Sequence, residues 1–400
     1  DLLNKTGSFK SNAGKSKIDF PVNQYMTFIE QFKWFILPRE LEFNSPETNK
    51  LGSEFVSTHP LQDSVRFFSP SARYNLSDYL IKAKKVKEIL IADASIMPDS
   101  GDVTVERGAH IQKLMNAIVI ADTANRYHTI VNAAIEIMSR KLYEGTGDYE
   151  YNDQAKVKHL LHLDRIAIDT AQHTYATGEI ADTSNFTISP NTMFKGKVKI
   201  LAQHKFLNFD GFAMVNHACE KIERNWFSFA SEINPEKVRI PIVNPVNETR
   251  EKLTAGIYVT AASDTSSGVY ATFLSPKIKN TDQEIVAVNG LLTYDNKSKE
   301  YRIVSDTING SDSVGNYISL NDQQCRVYAE GLLNLGTNFG QFKATYAGSV
   351  SNNMNLDSTD MQMVIDCDFP FNEDALKTMG EVLLSYPNLK PTNDLSVLYN

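Results

Sequence analysis

The stretch IVAVNGLLTYDNKSKEYRIV, residues 285–304, governs how the sequence is interpreted, because short apolar runs alternate in it with turn residues. Two apolar runs, 285–288 and 291–294, flank the dipeptide Asn289-Gly290. Asn-Gly favours the positive φ angles that a two-residue type I′ hairpin turn requires. A second turn signal at 295–299 precedes another apolar run. The stretch therefore predicts consecutive antiparallel strands.

Similar patterns extend outward over residues 236–370. Residues 238–243 are expected to form an extended edge segment, because Pro241 lacks a backbone donor. Residues 257–261 and 269–274 predict a hairpin across a polar loop, and 342–346 alternates apolar with polar residues. Residues 361–369 alternate as well and place on one side Met361, Met363, Ile365, Cys367 and Phe369.

A helix is expected after this β-rich region. Asn372 supplies an N-cap, and Glu373 and Asp374 suit the positive end of a helix dipole. Pro387 ends the helix, and residues 387–400 are expected to form an extended strap.

The first half of the chain carries apolar residues at spacings of three and four, which predicts helices. The expected helices cover about 24–36, 77–90, 104–144, 153–175 and 210–229. The predicted fold class is thus α+β, with a helix-rich N-terminal half, an antiparallel β-rich region and a closing C-terminal helix. The corresponding domains are a flexible basic arm at 1–20, a mainly helical shell domain at 21–235, a β-rich domain or protrusion at 236–370, and the closing helix and strap at 371–400.

Charge is distributed unevenly along the chain. The net charge of −8 argues against a surface coated with nucleic acid. The N-terminal segment 2–18, however, contains no acidic residue and four lysines, Lys5, Lys10, Lys15 and Lys17. These lysines predict an arm that meets nucleic acid weakly and without sequence preference.

Cysteine usage and hydropathy limit the class of protein further. The three cysteines lie far apart in sequence and lack the spacing of a zinc site, which favours reduced thiols in a cell interior. No apolar run reaches the ~18 residues that span a bilayer, so no membrane association is expected. No cofactor is expected.

One candidate for metal or acid/base chemistry depends on the predicted helices. A helix over 153–175 would place His162, Arg165, Asp169 and His173 on one polar stripe, and Glu106 with His110 repeats the acid-x-x-x-His spacing. Two such helices side by side could build a site from Glu106, His110, Asp169 and His173. The favoured alternative is a solvated or subunit-contacting polar face with local ion pairs, without a metal.

In size, in its basic arm at 2–18 and in its expected helical first half, the chain resembles coat proteins of small icosahedral viruses. In particular, it resembles the helix-rich capsids of double-stranded RNA viruses such as partitiviruses, with phage head proteins as a second comparison. The resemblance implies a structural capsid protein that is not an enzyme. It would self-assemble through dimeric building blocks into a shell around nucleic acid, in the host cytoplasm, and reside in the virion.

Two other functions remain open from the sequence. One is a metal- or acid/base-dependent enzyme with its site on the two helices. The other is a nucleoprotein or nucleic-acid-binding scaffold.

Overall fold

A computed structural model describes residues 3, 5–10, 16–45, 49, 51–260, 268–305, 316–337, 340 and 343–390. The protein is built mainly from β-strands, which hold 57% of the described residues. It separates into two compact units, unit 1 (1–181 and 197–208) and unit 2 (182–196 and 209–400). The predicted α+β class with a helix-rich first half is therefore wrong.

The strands of unit 1 are β1 (Thr6–Lys10), β2 (Ser16–Phe20), β3 (Tyr25–Ile29), β4 (Gln31–Phe35), β5 (Glu40–Asn44), β6 (Ser53–Ser57), β7 (Arg66–Ser69), β8 (Ser71–Asn75), β9 (Leu80–Lys84), β10 (Ile89–Ile91), β11 (Ala94–Met97), β12 (Val103–Val105), β13 (Leu114–Ala121), β14 (His128–Ser139), β15 (Leu142–Asn152), β16 (Lys158–Ile168) and β17 (Thr174–Ile180). Short 3₁₀ turns occupy Pro60–Gln62, Asp99–Gly101 and Arg107–Ala109.

The remaining elements are β18 (Thr187–Ser189), β19 (Thr192–Leu201), β20 (Leu207–Val215), β21 (Phe227–Ile233), β22 (Ile240–Ile242), β23 (Thr254–Thr260), β24 (Gly268–Ser275), β25 (Gln283–Ala287), β26 (Gly290–Asp295), β27 (Glu300–Val304), β28 (Tyr317–Asn321), β29 (Arg326–Leu333), β30 (Lys343–Asn353), β31 (Ser358–Asp368) and the helix α1 (Glu373–Leu384). A further 3₁₀ turn lies at Asp182–Ser184.

In unit 1 the chain passes back and forth between two sheets. Sheet 1 has the order β1-β4-β5-β8-β9-β12, and sheet 2 runs β2-β3-β6-β7-β10-β11-β13-β14-β15-β16-β17. Successive hairpins thus enter alternate sheets. Phe20 of sheet 2 lies 5.8 Å from Phe43 and 4.7 Å from Tyr74 of sheet 1, measured between ring centroids. These buried contacts show that the two sheets share an aromatic core.

The expected helices of the first half are strands because their apolar residues alternate with a period of two, interrupted by bulges. The register of β13 against β14 shifts between Leu114 and Ala117, and both residues are buried. A second shift follows Val131, where Asn132 has a φ of 51°. A bulge inserts one extra residue, so buried positions three apart imitate the spacing of a helix.

Each predicted helix of the first half is corrected in this way. Residues 24–36 form β3 and β4, and 77–90 contain β9 and most of β10. Residues 104–144 run from β12 through β13 and β14 into the start of β15, and 153–175 contain β16 and the start of β17. Residues 210–229 contain parts of β20 and β21, joined by an irregular segment in which Cys219 and Ile222 are buried.

Unit 2 contains a seven-stranded sheet, sheet 3, with the order β22-β26-β27-β28-β29-β30-β31, and a smaller sheet, sheet 4, with the order β24-β23-β25. The predicted hairpin at 257–261 and 269–274 is confirmed as β23 and β24, and the turn at 295–299 joins β26 to β27. The closing helix is confirmed as α1, where the Ala375 N–H donates to the Asn372 side chain at 2.9 Å.

The predicted turn at Asn289-Gly290 is wrong, because β25 and β26 belong to different sheets. The dipeptide instead carries the chain from sheet 4 to sheet 3. A Cβ atom on Gly290 would collide with the backbone of Val304, so close strand packing explains this glycine.

A disulfide joins Cys219 to Cys325 across 106 residues, with a Cα–Cα distance of 4.9 Å. This Cα–Cα distance lies within the range that disulfides adopt. The prediction of three reduced thiols is therefore wrong, since only Cys367 is a free cysteine among the described residues.

Candidate assembly surfaces

The longest exposed edge strand of unit 2 is β31, the last strand of sheet 3. It pairs with β30 along its whole length, from Lys343 opposite Asp368 to Asn353 opposite Ser358. Within the described residues, no strand pairs with its other edge. Alternate residues of this eleven-residue strand turn their backbone groups toward that edge over roughly 35 Å, which is a template for another strand.

The two faces of β31 differ in chemistry. One face carries Asp360, Asp366 and Asp368, and the other carries Met361, Met363, Ile365 and Cys367, as the alternation in the sequence predicted. Ile365 is 45% exposed. Burial, with a smaller effect from Asp366, raises the pKa of the Cys367 thiol. The strand is therefore acidic on one side and apolar on the other.

Beyond β31, α1 adds further exposed apolar surface. None of its residues is buried. Phe371 before the helix is 52% exposed, and Val382 and Leu384 are 55% and 53% exposed. The end of sheet 3 thus continues into apolar groups that the described residues leave open to solvent.

In unit 1, β1 forms one edge of sheet 1 and pairs there with β4. Ser8 and Lys10 lie on one face of the strand, and Lys33 lies opposite Ser8. Phe9 lies on the other face, 46% exposed, with its ring stacked 4.8 Å from the ring of Phe32. This edge is basic on one side and apolar on the other.

The lysines predicted to face nucleic acid are placed mostly in strands. Lys10 ends β1, Lys17 lies in β2 and Lys5 directly precedes β1. The Lys17 ammonium also lies 2.9 Å from the Asp19 carboxylate. Lys15 lies outside the described residues. The predicted contact with nucleic acid stays a prediction.

The four residues proposed for a metal site lie in separate turns. Glu106 and His110 contact each other at 3.0 Å after β12, and hydrogen bonds from Gln112 and His110 lower the pKa of Glu106. Asp169 accepts the His173 N–H within the turn between β16 and β17, and His173 lies 3.8 Å from Asp93. The stripe of His162, Arg165, Asp169 and His173 required a helix and does not form, because 158–168 is a strand.

A search of the described ranges finds no group of three or more His, Cys, Asp or Glu side chains that could hold a metal ion. The Asp93 carboxylate instead fixes the position of Thr174. It accepts hydrogen bonds from the Thr174 N–H at 2.9 Å and from the Thr174 hydroxyl at 2.6 Å. The Tyr143 hydroxyl in turn lies 2.8 Å from that of Thr174. The polar groups around His173 therefore anchor the start of β17.

His162 contacts a carboxylate on the neighbouring strand. Its Nδ1 lies 2.8 Å from Asp148 Oδ1, and the Asn132 amide donates to Asp148 Oδ2 at 3.0 Å. The hydrogen bond from His162, supported by that from Asn132, lowers the pKa of Asp148. A depressed carboxyl pKa stabilises the fold above the ordinary carboxyl range, and this contribution is lost as pH falls through the folded-state pKa.

We expect Asp148→Asn to lower the free energy of unfolding of unit 1 by at most about 1 kcal/mol at neutral pH. The difference from the wild type should shrink below pH ~4, where the wild-type carboxylate takes up its proton. Denaturant unfolding at several pH values measures this. Asp164→Asn, at an exposed position of the strand that carries His162, is the matched control. A difference that is constant from pH 7 to pH 2 would contradict the assignment.

No protein-family model, curated protein or solved structure matches the chain. In the part of the chain that the structure describes, no helix has the length and apolar character to cross a membrane. Sequence reasoning found the alternation of β31 and the lysines near β1. It missed that β1 and β31 are both edge strands, because the sequence does not reveal which strands lie beside them.

Proposed function

We propose that the chain is a self-assembling structural protein, whose copies join when β31 of one copy pairs with β1 of the next. The observation that carries the proposal is that β31, eleven residues long and with acidic and apolar faces, is the last strand of its sheet among the described residues. Addition of a strand to an exposed edge is a common mode of protein association, in which backbone hydrogen bonds supply affinity and side chains supply specificity.

The two edges are complementary in charge and in hydropathy. The acidic face of β31 can oppose the face of β1 that carries Lys10, while Met363 and Ile365 lie on the same side as Phe9. Opposite charges on neighbouring strands are favourable, and aromatic side chains pack well against neighbouring apolar groups. Up to five residues of β1 take part, since that is its length.

Pairing of β31 with a second β31 is less favourable. In an antiparallel pair centred on Met363, Asp360 of each copy faces Asp366 of the other. Like charges directly opposite each other destabilise a sheet. A contact between two different edges is heterologous, so repetition yields a ring or an open filament.

The proposal keeps the self-assembly expected from the sequence without its viral setting. The likeness to viral coat proteins rested in part on a helical first half, which the fold does not have. A virion location and enclosure of nucleic acid stay predictions. No specific observation favours the enzyme alternative.

A charge-swap experiment tests the pairing. The first variant carries Asp360→Lys with Asp366→Lys, and the second carries Lys5→Glu with Lys10→Glu. The wild type is expected to form large species that shrink as salt rises, since screening weakens exposed charge pairs. Each variant alone should be monomeric, and an equimolar mixture should assemble again. Size-exclusion chromatography with light scattering measures the mass.

The control applies the same charge change to interior strands. Glu136→Lys with Asp164→Lys alters exposed positions of β14 and β16, which have neighbours on both sides. That protein should assemble like the wild type. A wild type that stays monomeric at high concentration, or a mixture that fails to assemble, would overturn the proposal.

A further inference from the structure

Unit 2 contains an open cleft of about 670 Å³ beside β24. Part of β24 lines it together with Asn352 of β30. Its walls are the segment 221–223, the segment 275–278 and the turn that contains Met354, Asn355 and Asp357. Binding sites for small molecules have volumes of about 300–1,000 Å³, so the cleft is large enough for several sugar rings.

The disulfide holds two of these walls together. Cys219 lies two residues before the segment 221–223, and the Cys325 carbonyl accepts the Met354 N–H at 3.2 Å. The Ala218 N–H also donates to the Asp322 carboxylate. Ile222 is 4% exposed and anchors its wall in the interior. The cleft is therefore held open by covalent and hydrogen-bonded links, which reduces the ordering that a ligand would have to impose.

One aromatic side chain of the lining, Tyr270, is held in place at both ends. Its hydroxyl donates to Asp282 Oδ2 at 2.7 Å and accepts the Ile278 N–H at 3.2 Å. Its ring lies 5.6 Å from the ring of Tyr258. A ring fixed in this way offers apolar surface at little cost in side-chain entropy.

The rest of the lining is rich in uncharged polar groups. Thr272, Ser275 and Asn352 are all buried, and Asn355 is exposed at the rim. The Asn352 amide donates to the Thr359 hydroxyl at 2.9 Å, while its Oδ1 has no partner among the described residues. Hydroxyl and amide groups both donate and accept, which suits a ligand whose own groups do the same.

The charges of the lining balance. Two lysines, Lys221 and Lys277, are matched by Glu223 and Asp357. The Lys277 side chain is only 16% exposed, and its ammonium lies 4.3 Å from the Tyr258 ring centroid and 3.9 Å from Glu284. Its charge is thus already compensated within the protein, whereas the exposed Lys221 has no carboxylate partner among the described residues. The one uncompensated cation of the lining is therefore accompanied by two carboxylates, Glu223 and Asp357, which disfavours phosphate or sulfate.

We propose that this cleft binds a neutral oligosaccharide. Sugar hydroxyls donate and accept together, as the threonine, serine and asparagine groups of the lining require, and the C–H faces of a sugar ring pack against an aromatic ring such as that of Tyr270. A mainly apolar ligand would leave Asn352 Oδ1 unsatisfied, and an anion would meet two carboxylates, Glu223 and Asp357, against the single cation Lys221.

Isothermal titration calorimetry with linear hexasaccharides of glucose, mannose, xylose and N-acetylglucosamine tests the proposal, with inorganic phosphate and a heparin hexasaccharide as anionic probes. The protein used carries Lys5→Glu with Lys10→Glu, both in unit 1, so that self-assembly and ligand binding are measured separately. At least one neutral hexasaccharide should bind with a Kd below about 1 mM. Tyr270→Ala and Asn355→Ala should each weaken it about tenfold, whereas Tyr270→Phe keeps the ring and should retain most of the affinity.

The exposed Tyr127 of unit 1 supplies the control, and Tyr127→Ala should bind like the parent. Thermal unfolding verifies that each variant is folded. If Tyr270→Ala does not fold, Asn355→Ala alone still decides the test. Any of three results would overturn the proposal. No neutral hexasaccharide binds at about 5 mM, either anion binds more tightly than the neutral sugars, or Asn355→Ala leaves the affinities unchanged.

Discussion

Replacement of both bonded cysteines, Cys219→Ala with Cys325→Ala, is expected to lower the free energy of unfolding of unit 2 by roughly 4 kcal/mol. The disulfide closes a loop of 106 residues, and its loss returns that much conformational freedom to the unfolded chain. Trp34 and Trp226 are the two tryptophans of the protein, and Trp226 lies in unit 2. In a Trp34→Phe background, tryptophan fluorescence during denaturant unfolding reports on unit 2.

Reduction of the unsubstituted cysteines should give a similar loss, because it breaks the same link without changing the packing of other side chains. Cys367→Ala removes the free cysteine and is expected to change stability by less than about 0.5 kcal/mol, since that residue is exposed. If the double variant unfolds at the same denaturant concentration as its parent, Cys219 and Cys325 do not form a bond in the folded protein.

Replacement of Phe67 by alanine is expected to lower the free energy of unfolding of unit 1 by about 4 kcal/mol. Its side chain is 1% exposed, and its ring stacks 5.4 Å from Phe55 and lies 6.1 Å from Tyr25. Truncation removes these contacts and leaves a cavity in a packed core. A Trp226→Phe background leaves Trp34 of unit 1 as the reporter.

The neighbouring residue is the matched control for this change. Phe68 follows Phe67 on β7 but points to the opposite face and is 41% exposed. Phe68→Ala should therefore cost less than about 1 kcal/mol. If the two substitutions lowered the free energy of unfolding equally, the result would contradict the alternation of β7. It would also contradict the placement of this segment in a two-layered core.

The elements that could be predicted from sequence were those specified by neighbouring residues. The N-cap Asn372 marks α1, and the polar loop between two apolar runs marks the hairpin of β23 and β24. The strands of the first half were not predictable in this way. Their bulges, such as those near Asn116 and Asn132, break the alternation of apolar residues and produce spacings of three.

The candidate assembly surface was predictable only in part. The alternation of β31 and the basic character of the segment before residue 18 are visible in the sequence. Their positions at sheet edges depend on pairing between segments that are distant in sequence. The same holds for the bond between Cys219 and Cys325, which lie 106 residues apart and in no recognisable motif.

The alternation of hairpins between the two sheets of unit 1 has a consequence for how the chain folds during synthesis. Between β1 and β12, successive hairpins of one sheet pair across one intervening hairpin of the other, as Tyr25 does with Ser57 and Glu40 with Asn75. From β13 to β17, consecutive strands pair directly. Both sheets therefore grow together from the N-terminal end, and pairing never has to wait for a distant part of the chain. Short loop closures favour fast folding, so unit 1 is suited to fold progressively as it leaves the ribosome.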